Sequence, residues 1–168
     1  MRLSTHFALS EFAVSATHPR LVQPVPPHWV HKATMLATAL QRVRDVCGPV
    51  TITSGYRAPA LNLALDGSGT SQHTVMEAVD FRVSDLPQAL AVLLAHRTAE
   101  PALGQVIYYP KRGFIHVALP SGRFPELTLC LHRPPRFKYR AIAHGREHVW
   151  LASHGIIVPP LAIPASPR

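Results

Sequence analysis

The chain has 168 residues, with 17 Lys and Arg against 9 Asp and Glu and a formal net charge of +8. That length suits one domain with a short appendage, long enough to bury about 70% of its unfolded surface, so neither a disulfide nor a metal is needed merely to fold. Hydrophobic residues at 47% and charged residues at 15% exclude disorder over most of the chain.

The basic excess consists of 14 Arg and 3 Lys. Arginine suits phosphate and carboxylate equally, so charge alone names no partner. Met1 to Val14 is mixed polar and aromatic and lacks the basic-then-apolar order of a signal peptide. The expectation is therefore synthesis in the cytoplasm without a leader. No 18-residue apolar run is present, which speaks against a membrane span. Cys47 and Cys130 are expected to be small buried hydrophobes rather than a disulfide.

In chain order, residues 9–16 predict a short helix with Ser10 as its cap. Residues 17–27, with four prolines, read as an extended connector. Residues 28–47 give the clearest helix: Leu36, Leu40, Val43 and Cys47 share one face, and Gly48-Pro49 stops it. Val50 to Thr53 is a β-branched strand, Ala58 to Leu65 a helical turn, and Ala78 to Val83 an alternating strand. Ser84 is expected to cap a helix running to about His96. Residues 104–109 and 113–119 form a hairpin around Pro110 to Gly113. Beyond Pro120 the texture changes, with seven Pro and seven Lys or Arg against two Glu in residues 121–168. Strand-like pieces remain at 127–131 and 148–152, and the last ten residues read as a tail. Arg136 to Arg140 interleaves three basic residues with two aromatics. It reads as a charged edge strand, in preference to a surface that stacks on bases, so nucleic acid is not the expected partner. Helices first, then mixed strands and helices, make the fold class α+β.

Three residues carry the candidate chemistry. His73 and Asp80 stand seven apart, and His116 sits inside the apolar strand Phe114 to Leu119. A carboxylate in the middle of an apolar strand is costly unless paired or metal-bound. Two imidazoles and a carboxylate are the ligand types of a catalytic zinc with its fourth position open. Spacing alone also allows His116 to be a hydrogen-bonded core histidine and Asp80 to pair with Arg82 or another arginine.

Ser54-Gly55-Tyr56-Arg57-Ala58-Pro59-Ala60-Leu61-Asn62, then Ser71-Gln72-His73 with Asp80, then Phe114-Ile115-His116-Val117 resemble the zinc D,D-/L,D-peptidases of peptidoglycan. That family includes D-Ala-D-Ala carboxypeptidases and phage L-alanyl-D-glutamate endopeptidases. The opening His6-Phe7-Ala8-Leu9-Ser10-Glu11-Phe12 resembles its small phage and prophage branch. The resemblance spans about His6 to Leu119. It implies a domain over residues 1–120, with helices on one face of a small, mainly antiparallel sheet, and an extension of unknown role over 121–168. It further implies Zn²⁺ held by His73, Asp80 and His116, with Arg57 on a substrate carboxylate and Ser71 helping to position substrate. Together with the missing leader, it implies action at the cell wall after lysis or as part of a virion, with other phage structural proteins as partners of residues 121–168.

Two departures fall where chemistry happens. Active relatives carry a Glu in the hairpin bearing the last ligand, and Tyr109 stands in that place here. No Asp or Glu occurs between Gln105 and Leu119. Tyrosine, with an ordinary pKa of about 10, is a poor base at neutral pH. Glu77 is a conceivable substitute. Met76 replaces the family's usual Gly, implying a different turn or a side chain that fills space near the zinc. Two functions follow: a zinc-dependent peptidase of peptidoglycan stems, or a catalytically impaired peptidase fold that serves as a structural or wall-binding component of a phage particle.

Overall fold

A computed structural model describes residues 1–96, 99–133, 138–142 and 147–153. The α+β expectation holds: α-helices lie against a six-stranded sheet in which four of the five strand pairings are antiparallel. The chain begins with a 3₁₀ turn at Leu9–Phe12. Helix α1 is Val30–Cys47, strand β1 Thr51–Ser54, helix α2 Pro59–Ala64, strand β2 Ala78–Arg82 and helix α3 Leu86–Ala95. Strands β3, Gln105–Tyr109, and β4, Phe114–Ala118, form the expected hairpin. Strands β5, Thr128–Arg133, and β6, Lys138–Ile142, then extend the sheet, and helix α4, Glu147–Ala152, follows. The sheet order is β1-β2-β4-β3-β5-β6.

Helix α1 forms because Ala33, Leu36, Ala37, Leu40 and Val43 recur at three- and four-residue steps and bury one stripe. Gly48 ends it at φ +80°, a backbone angle that side chains resist. Helix α3 starts where the Asp85 carboxylate accepts the Gln88 N–H at 2.9 Å, so Asp85 and not Ser84 is the cap. At the N-terminus Ser10 likewise gives way: the Glu11 carboxylate accepts the Ala8 N–H at 2.7 Å, reaching back as a side chain three residues into the turn can. The stretch expected as a strand at 148–152 lies in α4, because a short apolar run has no periodicity that separates strand from helix. The segment Arg136 to Arg140 lies at the sheet's outer edge where described, as β6, while the expected tail from Pro159 is outside the described residues.

Strand alternation sorts the sheet into two faces. Phe81, Ile115 and Tyr108 form one row across β2, β4 and β3, and Val79, Val117, Val106 and Leu129 a second across β2, β4, β3 and β5. All seven are buried in the main core together with α1 and α3. Asp80, His116, Ile107 and Cys130 form a row across the same four strands on the opposite face. Both cysteines are free, and burial pushes the Cys130 thiol up to about 11, which keeps it protonated and inert. Among the described residues no helix is long and apolar enough to cross a membrane.

Phe81→Ala should cost about 3–5 kcal/mol in urea unfolding, because it empties a fully buried position between sheet and helices. Leu63→Ala, at a site 81% exposed, should stay within about 0.5 kcal/mol. Equal losses at both positions would contradict this core.

Candidate metal centre

The first two strand residues of the site are neighbours by register. Asp80 on β2 stands directly opposite His116 on β4, so their side chains rise from the same face and meet. His116 Nδ1 lies 2.7 Å from Asp80 Oδ1. His73 arrives from a different direction, on a 3₁₀ turn at Gln72–Val75 before β2. Its Nε2 is 3.4 Å from Asp80 Oδ1 and 3.3 Å from His116 Nδ1. The three donor atoms lie within 4.8 Å of one another. The side chains are 4%, 12% and 12% exposed, so water cannot by itself solvate them.

The His73 ring is oriented by its other nitrogen. Nδ1 lies 2.8 Å from the Gly55 carbonyl, which can only accept, so Nδ1 carries the proton and Nε2 presents a lone pair. The backbone of the same residue is held as well, its carbonyl accepting the Arg57 N–H at 3.1 Å. Asp80 divides its two oxygens. Oδ2 accepts from Arg57 Nη2 at 2.7 Å, leaving Oδ1 to face the histidines. Arg57 is itself aligned by donating Nε to Ser54 Oγ at 2.8 Å. Asp80 therefore does pair with an arginine, but with Arg57, while Arg82 reaches the Arg112 carbonyl.

Burial lowers the His73 pKa and keeps the ring neutral against the opposing pull of Asp80. Burial acts to raise the Asp80 carboxyl, but the two imidazoles facing it, with the hydrogen bond that His116 Nδ1 donates, overcome it, so Asp80 lies well below the usual carboxylate range. A lone pair on His73 Nε2 thus faces a carboxylate oxygen and a second imidazole nitrogen. One proton on His116 Nδ1 satisfies the 2.7 Å contact, and a cation between the three donors would satisfy all of them together. Two imidazole nitrogens and one carboxylate oxygen, with a backbone carbonyl orienting one ring and a guanidinium orienting the carboxylate, fit a zinc ion in ligand type and in supporting shell.

The neighbouring residues resolve the two departures. Glu77 forms an ion pair with Lys32 of α1 at 2.7 Å, and alternation from Ala78 and Val79 turns it toward the helices. It is not a substitute base. Met76 keeps the glycine-type turn, with φ +55° and ψ +31°, and its side chain is fully buried in the main core. A different turn is therefore not what Met76 brings; buried side-chain packing offsets a left-handed backbone that L-residues resist. Tyr109 lies on the metal face as the diagonal cross-strand neighbour of His116 and stacks on Phe114 at 4.2 Å. With Ile107, Cys130 and Phe114 it makes that face apolar beside the site. Gln72 donates to the Leu119 carbonyl at 3.0 Å and ties the His73 turn to the end of β4. Ser71 opens that turn, and its carbonyl accepts the Thr74 N–H and hydroxyl.

Sequence reading missed the supporting shell. Ser54 and Gly55 lie inside the quoted motif, yet nothing in their residue types announces that one aligns an arginine and the other fixes a histidine tautomer.

Zinc content should be one ion per chain, and His73→Ala, Asp80→Asn and His116→Ala should each reduce it to background; an ion retained in two of the three would refute the ligand set. In metal-free protein, stability should fall with acid. The unfolded chain takes a proton at His73 near the ordinary 6.5 that the folded chain refuses, so stability is full above that value and drops as pH falls below it. Asp80, held low when folded, adds a further loss below about its ordinary 3.8. Urea midpoints between pH 7.5 and 5 should show this loss, and His73→Gln should remove most of it.

Comparison with known proteins agrees with the geometry. The family model described as Peptidase M15 matches residues 5–118, a span that contains all three donors and the supporting shell. Comparison with curated proteins gives no match. On the match over two-thirds of its length, the chain belongs to the peptidase M15 family, whose members are metal-dependent peptidases.

Proposed function

We propose that this chain is a zinc-dependent peptidase acting on the peptide stems of peptidoglycan. The observation that carries the reading is the convergence of His73 Nε2, Asp80 Oδ1 and His116 Nδ1 on one buried point. When bound there, zinc supplies Lewis acidity, polarising an amide carbonyl and activating water. The chain's own residues do the rest. His73 and His116 present ring nitrogens. Arg57 restrains Asp80 to one oxygen, and the remaining N–H groups of its fork are those a substrate carboxylate would take. Ser71, two residues before His73, is proposed to help position the stem.

In this reading the chain is of the phage and prophage branch, which the resemblance of His6 to Phe12 supports, and it acts at the wall after lysis or from within a virion. Residues 121–168, the first part of which adds β5 and β6 to the sheet, are proposed to contact other phage structural proteins.

Tyr109 favours a second reading. Of the residues that β2, β3 and β4 turn toward the metal face, Asp80 is the one acid, and it is a ligand. Loss of a positioned acid–base group typically costs about 10²–10⁴-fold in rate. The second reading is thus a peptidase fold that binds wall peptide and cuts it slowly or not at all.

Amine release from purified peptidoglycan by the zinc-loaded protein separates the two. Release above a His73→Ala control supports the hydrolase, and Tyr109→Glu should raise it by about 10²–10⁴-fold. A folded, zinc-bound Tyr109→Glu protein that releases nothing would end the hydrolase reading. Sedimentation of the wild type with intact peptidoglycan would then support the binding one.

A further inference from the structure

We propose that the N-terminal segment, residues 8–15, is a positioning element of the metal centre, fixing the Gly55 carbonyl against His73 Nδ1 and so aiming the other ring nitrogen at Asp80 and His116. The inference rests on the metal reading above and goes beyond it, because the segment bears on the stretch 54–57 that supports the ligands.

The chain of contacts is short. The Phe12 carbonyl accepts the Tyr56 N–H at 2.7 Å, and Ser15 pairs as an antiparallel bridge with Ser54. The segment therefore runs along the end of β1, the sheet's outer strand on this side. Between those two contacts sits Gly55. A Cβ added there would lie 2.1 Å from the Phe12 carbonyl oxygen, 2.7 Å from its carbon and 2.9 Å from its Cα. All three are backbone atoms, which cannot swing aside as a side chain would, so the close approach needs glycine. Within the same stretch, Ser54 Oγ aligns Arg57, the Gly55 carbonyl takes His73 Nδ1–H, and the Arg57 N–H holds the His73 carbonyl. The stretch 54–57 thus sets two side chains of the site, and Phe12 and Ser15 set that stretch.

The segment is itself anchored on its far side. Phe12 is fully buried and meets Phe7 edge to face at 6.4 Å between centroids. Glu11, exposed, closes the turn by accepting the Ala8 N–H. The Leu9 N–H donates to the Met1 carbonyl at 2.9 Å. A rigid, core-anchored turn is pressed on a glycine whose carbonyl decides a tautomer. The alternative tautomer would put a proton on Nε2, where a metal needs the lone pair.

The test reads the tautomer directly, by two-bond proton–nitrogen correlation of the His73 ring in metal-free, ¹⁵N-labelled protein, alongside the zinc dissociation constant. The wild type should show Nδ1–H and bind zinc. Gly55→Ala should lose the single tautomer and bind zinc about 10–100-fold more weakly, the usual effect of removing a partner that orients a ligand. Glu11→Ala, an exposed change that leaves the core intact, should move both readouts in the same direction by less. A purely structural role for the segment would lower the melting temperature and leave tautomer and zinc affinity of the folded protein unchanged, which overturns the proposal. If Gly55→Ala does not fold, an unchanged tautomer and zinc constant in Glu11→Ala overturns it alone. A wild-type chain without zinc affinity overturns the metal reading and the proposal together, whereas zinc binding with a mixed wild-type tautomer overturns this proposal only.

Discussion

Asp80 is a buried carboxylate, its side chain 12% exposed, in the middle of a four-strand row whose other members are His116, Ile107 and Cys130. An isolated charge in such surroundings is strongly unfavourable, and breaking a buried ionic arrangement by removing one partner typically costs about 3–5 kcal/mol. Everything around it answers that constraint. Arg57 takes one oxygen, and His116 and His73 face the other. Ser54 steadies the arginine and Gly55 steadies one histidine. The opposite face of β2, β4 and β3 packs Val79, Phe81, Ile115, Val117 and Val106 against the helices, because the polar demand of the site is met on the other side.

The same economy of polar groups explains the site's unusual feature. The resemblance to the family implies a second carboxylate on the hairpin, and the described residues hold none there. Here the hairpin offers Ile107, Tyr109 and Phe114 to that face, and the stacked rings of Tyr109 and Phe114 close it. The three residues that could hold a metal converge in this fold, while the hairpin beside them carries aromatic rings and no acid. That separation is what makes binding without efficient cutting a coherent second function.

Much of this was legible in the residues. The periodicity of Leu36, Leu40 and Val43 places α1, and the alternation around Asp80 and His116 marks two strands whose polar members point to a shared face. The motif from Ser54 to Asn62, with Ser71 to His73 and Phe114 to Val117, names the family. What the residues could not show is register and approach. That Asp80 stands opposite His116 depends on strand pairing across a 36-residue separation. That Glu77 points away depends on which face the first residue of β2 takes. Met76 looks like a broken turn in sequence, yet a fully buried side chain holds it in the glycine conformation. The role of Gly55 is carried by its backbone oxygen and its missing Cβ, neither of which a residue type reveals.

The central claim is that three side chains from a turn and two paired strands converge on one metal ion. It is tested most directly by a crystal grown with zinc and measured across the zinc absorption edge. One anomalous peak at about 2.0–2.2 Å from His73 Nε2, Asp80 Oδ1 and His116 Nδ1 is the expected result. No peak at that point, with the His116–Asp80 hydrogen bond intact in the presence of zinc, would contradict it.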